Sequence, residues 1–263
     1  MPNRNDYQPS MPWQLIGNGP KNDTFHTSSL QFHTNVVVFN HGLEELTTAS
    51  RIYNAMLAKS DSPRCINGIL ATKSFSMQLA QSYLELSSAL KQIASVGLTT
   101  LHALTQTSEK YINVIGMTLL PSLVKTTCWA PNQVVPSHYH NWLGERRIAL
   151  NLCQQFPITW PDLTLKSNPI GHDWIANPDR LLLELQQQPA NTKALVRLST
   201  ISAKCWLEHL SIDTLTALEP LFHLDRKSHR SKNWWLFNHE ASFEIARIQY
   251  TLAWCQQSLL LST

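Results

Sequence analysis

The chain has 263 residues, enough for one large domain or two small ones, and its formal net charge of +3 does not favour a general polyanion-binding protein. Charged residues make up only 15% of the chain, so Ser, Thr, Gln and Asn must supply much of the polar surface. The five cysteines are widely spaced and include no Cys-x-x-Cys pair, which predicts reduced thiols in a cytoplasmic protein. The N-terminus shows no signal-peptide pattern, and no stretch is apolar enough to predict a transmembrane segment.

The N-terminal part predicts little regular structure. Residues 1–29 carry four prolines and few apolar residues, which indicates a disordered or loosely docked arm. The β-branched run Val36–Val38 favours a strand within 30–39, but no second segment is a convincing partner strand. The same segment could instead lead into a helix predicted at 43–59.

A long amphipathic helix is predicted over about residues 71–115. Apolar side chains recur there at alternating spacings of three and four residues, which places them on one stripe of a helix. The opposite face is rich in Ser, Thr and Gln and has few ions. Such a helix either packs inside a bundle or lies against a hydrophobic surface or partner. The stripe comprises Leu79, Tyr83, Leu86, Leu90, Ile93, Gly97, Leu101 and Leu104.

Prolines and tryptophans punctuate residues 121–178, which therefore predict a connector with one short helix at 139–155. Three helical segments follow. The first, at 177–188, has Asn177 as N-cap and a proline at the first helical position. The others span 191–218 and 240–261.

These elements predict a mainly α protein, a helical bundle with a single short strand near 30–39 as an option. Its two helical halves would be residues 30–120 and 179–263, joined by the Pro/Trp-rich connector at 121–178.

No motif in the sequence predicts catalysis. Glycines never flank a Ser or Cys as in a nucleophile elbow, and no phosphate-cradling or dinucleotide fingerprint occurs. We therefore predict no catalytic residue, no cofactor site and no enzyme. One group of zinc-type ligands exists, but its spacing matches no standard knuckle, so hydrogen-bonded loop histidines are favoured over a metal. That group is Cys128, His138, His140 and Cys153.

A basic run precedes a tandem tryptophan in the C-terminal third. Arg226, Lys227, Arg230 and Lys232 could contact phosphates, and Trp234–Trp235 could stack on bases. The alternative is a solvated connector whose tryptophans pack into the core. The small total charge favours the connector, so nucleic acid is the less favoured partner.

The same region resembles the N-terminal part of polyhydroxyalkanoate synthases. That family shows an Asp-Arg start, a tryptophan a few residues on, and then a helix with a tyrosine and a tryptophan. This chain has Asp225 and Arg226, then Trp234 and Trp235, then the helix "IQYTLAWCQQSLL" containing Tyr250 and Trp254. Upstream, "NPIGHDWIANPDRLLLELQQQP" and "AKCWLEHLSIDTLTALEP" follow the family's order, so the resemblance covers about 168–261.

The striped helix resembles a second family of the same biological system. "LAQSYLELSSALKQIASVGLTTLHALTQTSEKYI" is similar to phasins, the amphipathic helical proteins that coat polyhydroxyalkanoate granules. The resemblance to the synthases covers none of their catalytic domain, so no catalytic residue is transferred.

Together the resemblances imply a non-catalytic, granule-associated protein that binds the polymer surface, the synthase or itself, in the cytoplasm or at the granule surface. The polymer or partner surface would be Leu79, Tyr83, Leu86, Leu90, Ile93, Leu101 and Leu104. The docking residues would be Asp225, Arg226, Trp234, Trp235, Tyr250 and Trp254. Two alternatives stay open: a DNA-binding regulator of a mobile element, and a helical scaffold of a secretion or conjugation assembly.

Overall fold

A computed structural model describes residues 12–18, 35–107, 111–121, 140–169, 171–172, 178–187, 192–223 and 239–261. The chain divides into two compact units. The sheet unit comprises the described residues within 1–86, 95–118 and 152–163, and the helical unit comprises those within 87–94, 119–151 and 164–263.

The sheet unit is built on a six-stranded mixed sheet with the strand order β4-β3-β2-β1-β5-β6. Neighbouring strands are parallel except β3 and β4, which are antiparallel. The prediction of a mainly α bundle is therefore wrong, because the protein is α/β. The strands are β1 (Trp13–Ile16), β2 (Asn35–Phe39), β3 (Ser50–Tyr53), β4 (Arg64–Asn67), β5 (Ile112–Ile115) and β6 (Ile158–Thr159).

The central strand explains why the sheet was missed. Trp13, Leu15 and Ile16 of β1 are fully buried, and Leu15 pairs with Val37 on one side and Val114 on the other. A parallel strand buried on both faces has no apolar–polar alternation, and four residues are too few to distinguish it from a helix.

Two local predictions are corrected at the start of the chain. Residues 13–16, within the predicted arm at 1–29, are the middle of the sheet. The helix predicted at 43–59 does not form, because residues 50–53 make β3 parallel to β2. Leu43 has a φ of 51°, a left-handed conformation that no α-helix accommodates.

The helix predicted over 71–115 is three elements. Helix α1 (Lys73–Leu90) ends before Lys91, whose φ is 51°. Helix α2 (Val96–Thr107) begins after Ser95, whose hydroxyl accepts the N–H of Leu98 at 3.3 Å. Residues 112–115 are then strand β5. The apolar stripe is real, but a helix packed on a sheet needs the same stripe as a helix in a bundle.

His102 on α2 makes stability depend on pH. Its Nδ1 lies 3.0 Å from the hydroxyl of Ser82 on α1, and burial lowers its pKa below the ordinary 6.5, against the opposing charge of Glu85. The unfolded chain therefore takes up a proton at His102 at a higher pH than the folded chain does. As the pH falls below the ordinary value, this difference favours unfolding.

We expect the wild type to lose more stability than a His102→Gln variant between about pH 7.5 and about pH 5.5, measured by urea unfolding. Other titrating groups contribute equally to both proteins, so the difference between the two isolates His102. An identical pH dependence in both proteins would contradict this expectation.

The helical unit contains α4 (Pro178–Gln187), α5 (Thr192–Ser199), α6 (Ala203–Leu207), α7 (Ile212–Leu218), α8 (His239–Leu261) and most of α3 (Trp142–Gln155). Their core is a cluster that includes the fully buried Trp206, Ile248 and Leu252. The helices predicted at 139–155, 177–188 and 240–261 are confirmed within three residues at each end. The segment predicted as one helix at 191–218 is three, because Ser202 and Ser211 each cap a new start.

Across the described ranges, every helix is either too short or too polar to cross a bilayer.

Candidate functional site

The order of the parallel strands singles out one edge of the sheet. Across the sheet the parallel strands are ordered β3, β2, β1, β5, β6. Strands β2 and β3, which follow β1 in the chain, are therefore added to one side of β1, and the later strands β5 and β6 are added to its other side. Doubly wound nucleotide-binding sheets have this arrangement. In open α/β sheets, ligands bind outside the carboxyl ends of the strands where the order reverses. The candidate site is therefore the carboxyl edge at β1 and β5, which we call the switch edge.

Gly17, the first residue after β1, is in close contact with the chain after β5. Its N–H donates to the carbonyl of Ile115 at 2.8 Å. A Cβ at Gly17 would overlap the carbonyl oxygen of Gly116 and would lie 2.8 Å from that residue's carbonyl carbon. Only glycine fits where these two backbones approach so closely.

Asn18 connects the switch edge to the loop after β2. This exposed side chain donates from Nδ2 to the carbonyl of Phe39 at 3.2 Å. Gly42 leaves room for it, since a Cβ there would lie 2.8 Å from the Asn18 amide carbon. Asn18 is thus positioned by the end of β2.

Arg51 holds the loop after β2 in a strained shape. Its buried guanidinium donates to the carbonyls of Asn40, Gly42 and Leu43 at 2.8, 2.7 and 2.9 Å. Asn40 and Leu43 have φ values of 50° and 51°, a left-handed conformation that asparagine adopts readily but that costs free energy in leucine. Strain maintained by such bonds is characteristic of functional loops.

The start of α2 lies against the same edge. Met117, just beyond β5, is the shared neighbour: a Cβ at Gly97 in the first turn of α2 would lie 2.5 Å from its Cε, and a Cβ at Gly17 would overlap its Cγ. The first turn of α2 carries no acidic side chain. The partial positive charge of this helix end is therefore not neutralised by its own first turn.

The chain after β5 is fixed by residues near β6. The N–H of Gly116 donates to Asp162 Oδ2 at 2.6 Å, and the indole of Trp160 donates to the carbonyl of Met117 at 2.7 Å. The N–H of Gly116 and the carbonyl of Met117 therefore already have hydrogen-bond partners within the protein. The other described groups near the switch edge are Gly17 and Asn18, the loop after β2 and the start of α2.

The residues predicted as a polymer or partner surface lie in the interior. Leu79, Leu86, Leu90, Leu101 and Leu104 are buried, with exposed fractions of 4% or less. Tyr83 and Ile93 are half-buried. The stripe is therefore occupied by packing, and the fold offers no support for polymer adsorption through it.

The predicted docking residues fall in two groups. Asp225, Arg226, Trp234 and Trp235 lie outside the described residues. Of the remaining two, Tyr250 lines a cavity of the helical unit, and Trp254 packs against that unit's hydrophobic core.

Two of the four zinc-type ligands are described. His140 Nδ1 lies 3.5 Å from Glu145 Oε1, and its ring is tilted against Trp142 at a centroid distance of 5.0 Å. Burial raises the pKa of Cys153 to about 11, so its thiol is protonated. Within the part of the chain that the structure describes, no three His, Cys, Asp or Glu side chains group as metal ligands. Cys128 and His138 lie outside it.

Sequence reasoning missed the switch edge. The signal was present in "WQLIGNGP", where three apolar residues within a stretch of four are followed by two glycines separated by one residue. Prolines on both sides of the run favoured an unstructured arm instead.

The chain matches no protein-family model, no curated protein and no solved structure.

Proposed function

We propose that the sheet unit binds a nucleotide at the switch edge and that the protein is a transferase which uses a nucleotide-activated donor. The reversal of strand order between β1 and β5 carries this proposal, because ligand sites of open α/β sheets form at that place. It proposes a transfer reaction where the sequence predicted a non-catalytic protein, and its nucleotide-binding step can be measured directly.

The start of α2 supports a phosphate-bearing ligand. The N-terminus of a helix presents backbone N–H groups and a partial positive charge to an anion. Here that end lies against Met117, which also touches the chain at Gly17. A phosphate at the switch edge would therefore meet favourable electrostatics without a dedicated lysine.

The chemistry of the edge favours a nucleoside mono- or diphosphate over a redox dinucleotide. The Gly-x-Gly-x-x-Gly fingerprint is absent, and about twenty residues on, where dinucleotide-binding folds have an acidic residue for the ribose, this chain has Asn40. Its Oδ1 already accepts the N–H of Asn54 at 2.9 Å. Nucleoside phosphates are the leaving groups of activated donors, which is why we place this protein among the transferases.

A nucleotide panel tests the proposal directly. The full chain would be titrated calorimetrically with the mono- and diphosphates of the four common ribonucleosides and with NAD. We expect saturable binding of at least one nucleoside phosphate in preference to NAD. Asn18→Ala should weaken that binding about fivefold or more, because it removes the hydrogen bond that ties Asn18 to the end of β2.

Thr216→Ala is the control. Thr216 is also exposed and its side chain also donates a hydrogen bond to a backbone carbonyl, that of Ile212 at 2.8 Å, but it lies on α7 in the helical unit. Its replacement should leave nucleotide binding unchanged. If no nucleotide binds, or if both variants weaken binding equally, the proposal fails.

Granule association stays a hypothesis from the resemblances. Replacing stripe residues such as Leu86 and Leu90 with lysine would place charges in the interior, since both are buried. Release from granules in such a variant would therefore report unfolding and not adsorption.

A further inference from the structure

We propose that the helical unit holds a second binding site, a cavity of about 710 Å3 that accepts a small hydroxylated organic anion such as a sugar carboxylate or sugar phosphate. The volume is in the range of small-molecule sites, roughly 300–1,000 Å3. The proposal is independent of the nucleotide site, because all lining residues belong to the helical unit.

The walls of the cavity are fixed by backbone contacts. Gly171 and His172 run beside the start of α6, with the N–H of His172 donating to Thr200 at 2.8 Å and the N–H of Ser202 donating back to His172 at 3.0 Å. A Cβ at Gly171 would lie 2.6 Å from Ser202 Cα. One side of the cavity is therefore preformed and does not need a ligand to order it.

The hydroxyl groups that line the cavity favour a ligand that donates hydrogen bonds, because their own protons are already donated within the protein. Ser199 donates to the carbonyl of Val196 at 2.9 Å or to Glu244, Thr200 donates to Arg197 at 3.0 Å, and Thr251 donates to Arg247 at 3.1 Å. A hydroxyl has one proton to donate but two lone pairs. These groups can thus act toward a ligand as acceptors, which suits the O–H donors of a sugar.

Arg247 gives the site its preference for an anion. Its side chain is 66% exposed at the cavity, and its Nη1 lies 3.5 Å from Glu244 Oε1. This single contact, to a glutamate that is itself 20% exposed, uses only part of the guanidinium. The remaining N–H donors form a fork that matches a carboxylate or phosphate.

A ring also fits between the polar groups. Pro169, Leu120 and Ala246 supply apolar surface, while Tyr250 lines the cavity with its hydroxyl 3.4 Å from that of Ser167. Sugar rings have both apolar C–H faces and hydroxyl edges. The combination of apolar wall, acceptor hydroxyls and one guanidinium therefore favours a sugar acid or sugar phosphate over a neutral sugar or a bare ion.

The test is calorimetric binding to the full chain of glucuronate and glucose 6-phosphate, with glucose, acetate and inorganic phosphate as comparison ligands. We expect glucuronate or glucose 6-phosphate to bind more tightly than the others, and the tighter of the two identifies the carboxylate or the phosphate as the anion. Arg247→Gln should weaken that binding about tenfold or more.

Arg180→Gln is the matched control, because Arg180 also lies on a helix beside a glutamate, at 3.4 Å from Glu184, but not at the cavity. It should bind like the wild type. Tyr250→Phe, which removes one hydroxyl, should weaken binding of the sugar anion without weakening binding of the bare ions. No binding of either sugar anion, equal binding of acetate or phosphate, or an equal loss in both arginine variants would overturn the proposal.

Discussion

Replacing Glu219 with alanine is expected to lower the free energy of unfolding by about 3–5 kcal/mol. Glu219 is 4% exposed and lies where the chain leaves α7. Its carboxylate accepts from Asn141 Nδ2 at 2.8 Å and from Arg147 Nε at 3.0 Å.

The size of the effect comes from the partners that the substitution leaves behind. Asn141 is buried and connects the end of α1 to the start of α3. Its Nδ2 also donates to the carbonyl of Leu90 at 3.2 Å, and its Oδ1 accepts the N–H of Gly144 at 3.0 Å. Arg147 is only 21% exposed. Removing the carboxylate leaves a largely buried cation without its counter-ion, which costs more than the pair itself contributes.

Urea unfolding followed by tryptophan fluorescence would measure the loss. The control is Glu184→Ala, which removes an exposed ion pair on α4 and should cost less than about 0.5 kcal/mol. Glu219→Gln should be milder than Glu219→Ala, because the amide keeps one acceptor oxygen. A Glu219→Ala protein as stable as Glu184→Ala would show that the buried pair contributes nothing.

Helices α3, α4 and α8 could be predicted because their signals are local. The helix α8 spans 23 residues with apolar positions repeating at helical spacing, and α4 begins at Pro178, where a proline fits the first turn. Such patterns do not depend on what the helix packs against. For the same reason they do not reveal the architecture, and the buried stripe of α1 and α2 was compatible with a bundle.

The sheet could not be predicted from local patterns. Its strands are two to five residues long. The central strand β1 pairs with β5, about a hundred residues later in the chain. Only pairing at this distance makes a run such as Ile112–Ile115 a strand, and nothing in its own sequence separates it from the end of a helix.

The candidate site was missed together with the sheet, because it exists only as a property of strand order. Gly17 has no special meaning in an unstructured arm. It becomes informative once β1 lies beside β5, because a side chain at position 17 would then overlap the backbone of Gly116. Arg51 has no distinguishing sequence pattern either, and only the fold shows that it donates to three carbonyls of a strained loop.

The second large effect is expected from Gly17→Ala, which should both destabilise the sheet unit by about 1–3 kcal/mol and abolish nucleotide binding at the switch edge. The added methyl would overlap the backbone of Gly116, and a backbone in a paired strand end cannot move aside as a side chain can. Relief of the overlap requires β1 and β5 to separate where the ligand is proposed to bind.

Gly42→Ala separates the two consequences. Its added methyl would meet mainly the exposed side chain of Asn18, which can rotate away, although the carbonyl of Phe39 lies 3.3 Å from the new atom. We therefore expect nearly wild-type stability with weakened nucleotide binding, measured by urea unfolding and calorimetry on the same samples. If Gly42→Ala binds nucleotide normally while Gly17→Ala loses only stability, the two glycines serve the fold alone. The opposite pattern, binding lost in both and stability lost only in Gly17→Ala, is the result expected for a ligand that binds beside Gly17, Asn18 and the loop after β2.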